Sequence, residues 1–176
     1  MKKLFLASLA VLNACLISLA EVRMNPLFTD NMVLQQRTEV PVWGTASPGS
    51  VVSVVWNRHT YQTQADSDGK WMLKVRTPKA GGPYEMIVSD GEPVTISNIL
   101  VGEVWLCSGQ SNMEMPVKGW GKVKDYEKEL KGADRYPQIR LMQVRRVTSP
   151  KPLDDFEADG GGWQVCSSES LEKFSA

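Results

Sequence analysis

A serine set in a glycine turn at the end of an apolar run is the residue best placed to do chemistry in this chain. Gly102-Glu103-Val104-Trp105-Leu106-Cys107 leads directly into Ser108-Gly109-Gln110-Ser111-Asn112-Met113-Glu114-Met115. The stretch 99–107 suits a strand buried on both faces. The carboxyl end of such a strand is where α/β sheets place their ligands. Gly109 lets the backbone bend there, so that Ser111 can project its hydroxyl into a crevice as a nucleophile. Its own backbone N–H can face the oxyanion that forms when an ester carbonyl is attacked. Gln110 and Asn112 flank it as candidate substrate-binding amides. A strand-ending turn without any catalytic role has the same Gly-x-Ser spacing, so three residues alone leave both readings open.

An unassisted hydroxyl is a poor nucleophile at neutral pH and needs a base. The single histidine, His59, lies between Trp56 and Tyr61 in a β-rich stretch and reads as a surface strand residue. Among the six tryptophans, Trp120 between Gly119 and Gly121 is the candidate for stacking on a sugar face, while Trp43, Trp56 and Trp71 on alternating strands suit a core. Met113 and Met115 read as packing residues. No Cys-x-x-Cys spacing exists, so neither structural zinc nor any other cofactor is implied.

The elements that must position these residues fall into two kinds. From 33 to 107 the chain alternates short β-rich runs with turns, as in a sandwich or barrel. The run 51–56 is rich in valine. In 70–76, Trp71, Leu73 and Val75 alternate with Lys70, Met72, Lys74 and Arg76, which gives one buried and one wet face. Further runs cover 61–65, 84–88 and 93–96, separated by Asp66-Ser67-Asp68-Gly69, Lys79-Ala80-Gly81-Gly82-Pro83 and Ser89-Asp90-Gly91-Glu92. An antiparallel β domain over 21–98 is the expectation.

After it, strand 99–107, a helix over 122–132 and a second buried strand over 139–147 have the order of a parallel α/β unit, so a second domain is expected over 99–176. Residues 148–162, with two prolines and three consecutive glycines, read as an exposed loop, and 167–176 as the start of a helix. Two strands cannot cover their own sheet, so the α/β domain is expected to be only begun within these 176 residues.

Lys2 and Lys3 precede an apolar run over 4–20 that closes on Ser18 and Ala20, which reads as a secretory signal over 1–20 and places the protein outside the cell or in a periplasm. Lipid attachment at Cys15 is the lesser alternative, because the apolar run continues past it. Loss of the signal takes the 20 basic side chains down to 18 against 20 acidic ones, which leaves no footprint for nucleic acid and no membrane span. Cys107 and Cys166 then remain, as a disulfide or as two free thiols; the sequence favours neither, nor does it give an oligomeric state.

The string around Gln110-Ser111-Asn112-Met113 resembles the first block of the sialate O-acetylesterase family, within the SGNH hydrolases. Upstream, Asn25-Pro26-Leu27-Phe28-Thr29-Asp30-Asn31-Met32-Val33-Leu34-Gln35-Gln36 and Val40-Pro41-Val42-Trp43-Gly44 are similar to that family's β-rich amino-terminal region. Downstream, Gly161-Gly162-Trp163 and Phe174-Ser175-Ala176 resemble the approach to its next helix. The resemblance implies an α/β fold of the SGNH three-layer type, of which only the first part is present, preceded by an all-β sandwich. It also implies hydrolysis of O-acetyl esters on sialic acids or related glycans, through an acetyl-enzyme on Ser111. Gln110 stands where the wider superfamily has aspartate, a substitution characteristic of this family. The family's catalytic histidine and aspartate, and its further oxyanion donors, belong to later blocks with no counterpart here. A noncatalytic carbohydrate-binding β module with a vestigial hydrolase tail is the alternative.

Overall fold

The computed structural model describes residues 22–121 and 123–175. The proposed signal segment and Cys15 lie outside the described residues. Eight strands come first: β1 (Arg23–Met24), β2 (Val33–Gln35), β3 (Glu39–Thr45), β4 (Val51–Trp56), β5 (His59–Gln64), β6 (Lys70–Arg76), β7 (Gly81–Ser89) and β8 (Pro93–Gly102). They form a three-stranded sheet in the order β1-β3-β6 and a five-stranded sheet in the order β2-β8-β7-β4-β5.

Alternation sets which face each strand buries. In β6, Trp71 and Val75 are buried while Lys70, Met72, Lys74 and Arg76 are exposed. In β4, Val52, Val54 and Trp56 are fully buried. With Val42, Met86, Val88, Ile96 and Ile99 these side chains form one apolar cluster fed by both sheets. Burial of each such large side chain is worth about 1.5–3 kcal/mol. Between β4 and β5 the turn residues Asn57 and Arg58 both have positive φ, which suits the twist of a two-residue hairpin.

Two expectations change here. The run 99–107 is not one buried strand. β8 begins at Pro93, carries a bulge at Ser97 and Asn98, where φ of Asn98 is 56°, and stops pairing at Gly102. Asparagine tolerates that left-handed backbone, so what looks like a turn between two strands is a kink inside one. β8 therefore runs on past residue 98, where the sequence places the boundary. Pairing is antiparallel throughout this first region except between β2 and β8, which run parallel.

After Gly102 come α1 (Ser111–Glu114), α2 (Tyr126–Ala133), β9 (Arg140–Leu141), a single 3-10 turn (Asp159–Gly161), β10 (Gln164–Val165) and α3 (Ser168–Glu172). The expected buried strand over 139–147 is reduced to the two residues of β9, which pair antiparallel with β10, and to an isolated bridge from Val144 to Ala158. Ile139, Val144 and Val147 are at least half exposed, because among the described residues no further strand covers them. A parallel strand-helix-strand unit is thus not formed among the described residues. The whole is a sheet-rich α/β chain with few helices, none of which among the described residues is long and apolar enough to cross a membrane.

The second region is pinned to the first through Trp163. Its indole N–H donates to the Leu27 carbonyl at 2.9 Å and its backbone N–H to Thr29 Oγ1 at 3.1 Å. Gly162, at φ 144°, makes this approach possible, since a Cβ there would lie 2.3 Å from Thr29 Oγ1.

Candidate active site

The path to Ser111 begins where β8 ends. Glu103, the first residue past the strand, is held by two glutamines at the end of β2. Gln36 donates to one carboxylate oxygen at 2.6 Å and Gln35 to the other at 3.3 Å. Gln35 also accepts from the Val104 N–H at 2.9 Å, and Gln36 from the Ala80 N–H at 3.0 Å. Donation from Gln36, then from Gln35, holds the Glu103 carboxyl below the usual carboxylate range. The clamp fixes the direction in which the chain leaves the sheet.

From there 103–110 runs exposed, with Trp105 82% and Leu106 93% accessible. The apolar composition that reads as a buried strand is here solvent-facing. Ser111 is the first residue of α1 and is exposed. Its hydroxyl makes no hydrogen bond among the described residues. Gln110 precedes the helix without a side-chain capping bond, and its carbonyl accepts from the Met113 N–H at 2.9 Å. At the start of a helix the first N–H groups have no intrahelical acceptor, so those of Ser111 and Asn112 stand open. Gly109 contributes room rather than an unusual φ: a Cβ there would lie 2.6 Å from Met113 Cγ.

Gln110, Ser111 and Asn112 therefore share one exposed turn. Trp120, 64% exposed, sits in a separate loop that closes where the Val123 N–H reaches the Val117 carbonyl at 3.2 Å. That loop is tied to the end of α3. Val117 and Lys118 donate their N–H groups to Phe174 and Glu172 carbonyls at 3.0 Å each, and Lys118 Nζ pairs with Glu172 at 2.9 Å. Glu114 of α1 pairs with Arg146 at 2.6 Å.

His59 is not brought to Ser111. It opens β5, at the far edge of the five-stranded sheet, whereas Ser111 follows β8. Among the described residues no hydrogen bond joins His59 to Ser111, and the His59 ring instead meets that of Tyr61, with centroids 6.5 Å apart. Cys107 is exposed and Cys166 buried, and both are free thiols. Burial, with Asp134 nearby, pushes the Cys166 thiol up. A groove of about 570 Å³ runs beside the exposed segment and is bordered by Leu100, Trp105, Cys107, Ile139 and Phe174. A second cavity, about 680 Å³, lies between β9, β10 and α3 and is bordered by Asp159, Glu169 and Lys173. Ser111 lines neither. Among the described residues, no group of three or more His, Cys, Asp or Glu side chains could hold a metal ion.

No family model matches the chain. It is similar to the sialate O-acetylesterase of Homo sapiens, 29% identical over 162 residues covering 85% of this chain and 30% of the human protein. Against that of Mus musculus it is 31% identical over 157 residues, covering 82% and 28% respectively. In three dimensions it is similar to the crystal structure of a carbohydrate acetylesterase from Xanthomonas citri. The TM-score is 0.80 at 31% identity, with 88% of this chain and 35% of that chain covered. The chain is a relative of the sialate O-acetylesterases. It spans about 30% of the length of the curated relatives it matches.

In this sialate O-acetylesterase relative, Gln35, Gln36 and Glu103 are the residues that sequence reasoning passed over. A polar pair closing a strand and a glutamate opening the serine-bearing segment were the available signal. Their distance in sequence, 67 positions between Gln36 and Glu103, hid the contact.

Proposed function

We propose that this chain carries the nucleophile of a secreted or periplasmic carbohydrate esterase that removes O-acetyl groups from sialic acids or related acetylated glycans. The observation that carries it is the placement of Ser111: exposed, its hydroxyl without a hydrogen bond among the described residues, at the open start of a helix that follows β8 after the exposed segment 103–110. In this reading the Ser111 oxygen forms a bond to the acetyl carbonyl carbon while its proton passes to a base. The carbonyl oxygen, now negative, takes the Ser111 N–H. The sugar oxygen leaves with a proton, and water then releases acetate from the serine. Gln110 and Asn112 are the polar groups nearest in sequence to the bound ester, and Trp120 offers an indole face to the sugar. An SGNH-type layered domain around Ser111, beginning near residue 99 behind a β-sandwich domain, is part of the same proposal.

The absence of any hydrogen bond from His59 to Ser111 among the described residues favours a second reading for the chain by itself, that of a module that holds carbohydrate without cleaving it. One experiment addresses both. Acetate release from O-acetylated sialic acid and acetylated xylan is measured for the full-length gene product, for its Ser111→Ala variant, and for these 176 residues alone. The serine mechanism requires a loss of at least about a thousandfold in the variant, and little turnover from the 176 residues. Equal rates in full-length protein and variant would remove Ser111 from the mechanism.

A further inference from the structure

A cleft of about 670 Å³ opens where β1, β3 and β6 meet the segment carrying Asp154 and Asp155, a volume ordinary for a small-molecule site. Two contacts hold that segment in place: Lys70 Nζ to Asp154 at 2.9 Å, and Asn25 Nδ2 to Asp155 at 3.1 Å. Trp43 and Trp71 both border it, from opposite faces of the β3-β6 pair, since Trp43 stands opposite Met72 and Trp71 opposite Gly44. Trp71 is 3% exposed, and its Nε1 is a buried donor with no acceptor. This is not how the fold treats its other enclosed indoles: Trp56 Nε1 donates to the Arg76 carbonyl at 3.1 Å and Trp163 Nε1 to that of Leu27 at 2.9 Å. Buried indole N–H groups ordinarily find a partner, so an orphan at the edge of a cleft is a place for a ligand acceptor.

The charge around the cleft narrows the ligand. Three carboxylates, Asp66, Asp154 and Asp155, face two cations, Arg23 and Lys70. Lys70 is already paired with Asp154. Asp66 Oδ1 takes the N–H groups of Asp68 and Lys70, which leaves its second oxygen to accept from a ligand. Carboxylates beside indoles suit a polyol that donates hydroxyl hydrogens and offers an apolar ring face. They repel a ligand bearing its own carboxylate.

We propose that this cleft binds an uncharged sugar unit of a glycan, with an oxygen of the sugar taking the Trp71 N–H. The choice of carbohydrate rests on the function proposed above. The site itself is separate from Ser111, and it would hold a neutral part of the glycan rather than the ester being cut.

The test follows the six tryptophan indole N–H signals of the 176-residue chain by nitrogen-15 NMR while xylotetraose, or the anionic 3′-sialyllactose, is added. The Trp71 signal should shift saturably with xylotetraose, and sialyllactose should bind at least about tenfold more weakly. Thr45→Trp fills the cleft from an exposed position on β3, and Asp155→Ala releases the segment beside it without touching the core. Each should weaken xylotetraose by about tenfold or more. Ser111→Ala should leave its affinity unchanged, so that failure of the esterase reading and failure of the cleft remain distinct results. A Trp71 signal that stays still, undiminished binding in both cleft variants, or preference for sialyllactose would overturn the proposal.

Discussion

Residues 22–102 and 103–175 are built on opposite principles. The first region supplies all sixteen buried members of the apolar cluster, from Val22 to Val101; from the second, Trp163 alone packs against it, half-buried. The second buries only Ala133, Leu141 and Cys166 among its hydrophobic residues and leaves Val104, Trp105, Leu106, Trp120 and Tyr136 exposed. Hydrogen bonds and a few ion pairs do there what apolar burial does in the first. The candidate nucleophile lies in the weaker region, a few residues beyond the edge of the stronger one, so its position depends on how firmly the two are joined.

Removing a side chain from the first region should have the largest effect. Trp56 is fully buried and its indole is satisfied by the Arg76 carbonyl. Trp56→Ala leaves a large cavity and should cost about 3–5 kcal/mol, read as a lower urea midpoint at constant slope. A loss no greater than that of a surface substitution would erase the contrast between the regions.

In the second region the comparable lever is a cap. Ser167 Oγ accepts from the Ser170 N–H at 3.1 Å while Ser170 Oγ accepts from the Ser167 N–H at 2.9 Å, a reciprocal closure of the start of α3. Ser167→Ala should cost about 1 kcal/mol. Because carbonyls at the end of α3 hold Val117 and Lys118, amide exchange at those two positions should accelerate while that of β4 and β7 stays unchanged. Uniform acceleration across both regions would mean that they unfold as one unit.

The same contrast explains what the sequence conveyed. Lys70–Arg76 and Val51–Trp56 are legible to the residue, since a period of two with one buried face is a local property. The merger of 93–96 with 99–102 into β8 is not, because Asn98 at positive φ looks like a turn residue, and only the β7 partner shows that pairing continues. Beyond Gly102 the local signal misleads. Val104, Trp105 and Leu106 have strand composition, yet burial depends on what lies opposite, which composition does not record. The serine turn was legible as a string of residue types. Its support, Gln35 and Gln36 on Glu103, joins parts of the chain too far apart for any pattern to reveal.

That support yields the smallest but most specific effect. Hydrogen bonds from Gln36 and Gln35 favour ionised Glu103 and lower its pKa in the folded chain relative to the unfolded one. A group with a depressed folded pKa contributes its stability in full above the unfolded value, about 4.3 for glutamate, and loses it as pH falls through the folded value. The clamp should therefore hold from neutral pH down to the ordinary carboxylate range and loosen below it. Carbon-13 NMR should find Glu103 titrating below the ordinary glutamate value. Protection of the Val104 and Ala80 amides, corrected for intrinsic exchange, should fall over the same interval. Glu103→Gln removes the titration and should leave both amides insensitive to pH there, with global stability little changed because the carboxylate is exposed. If Glu103 titrates like a free glutamate, the glutamine pair does not grip it in solution, and the serine segment leaves the sheet without a fixed direction.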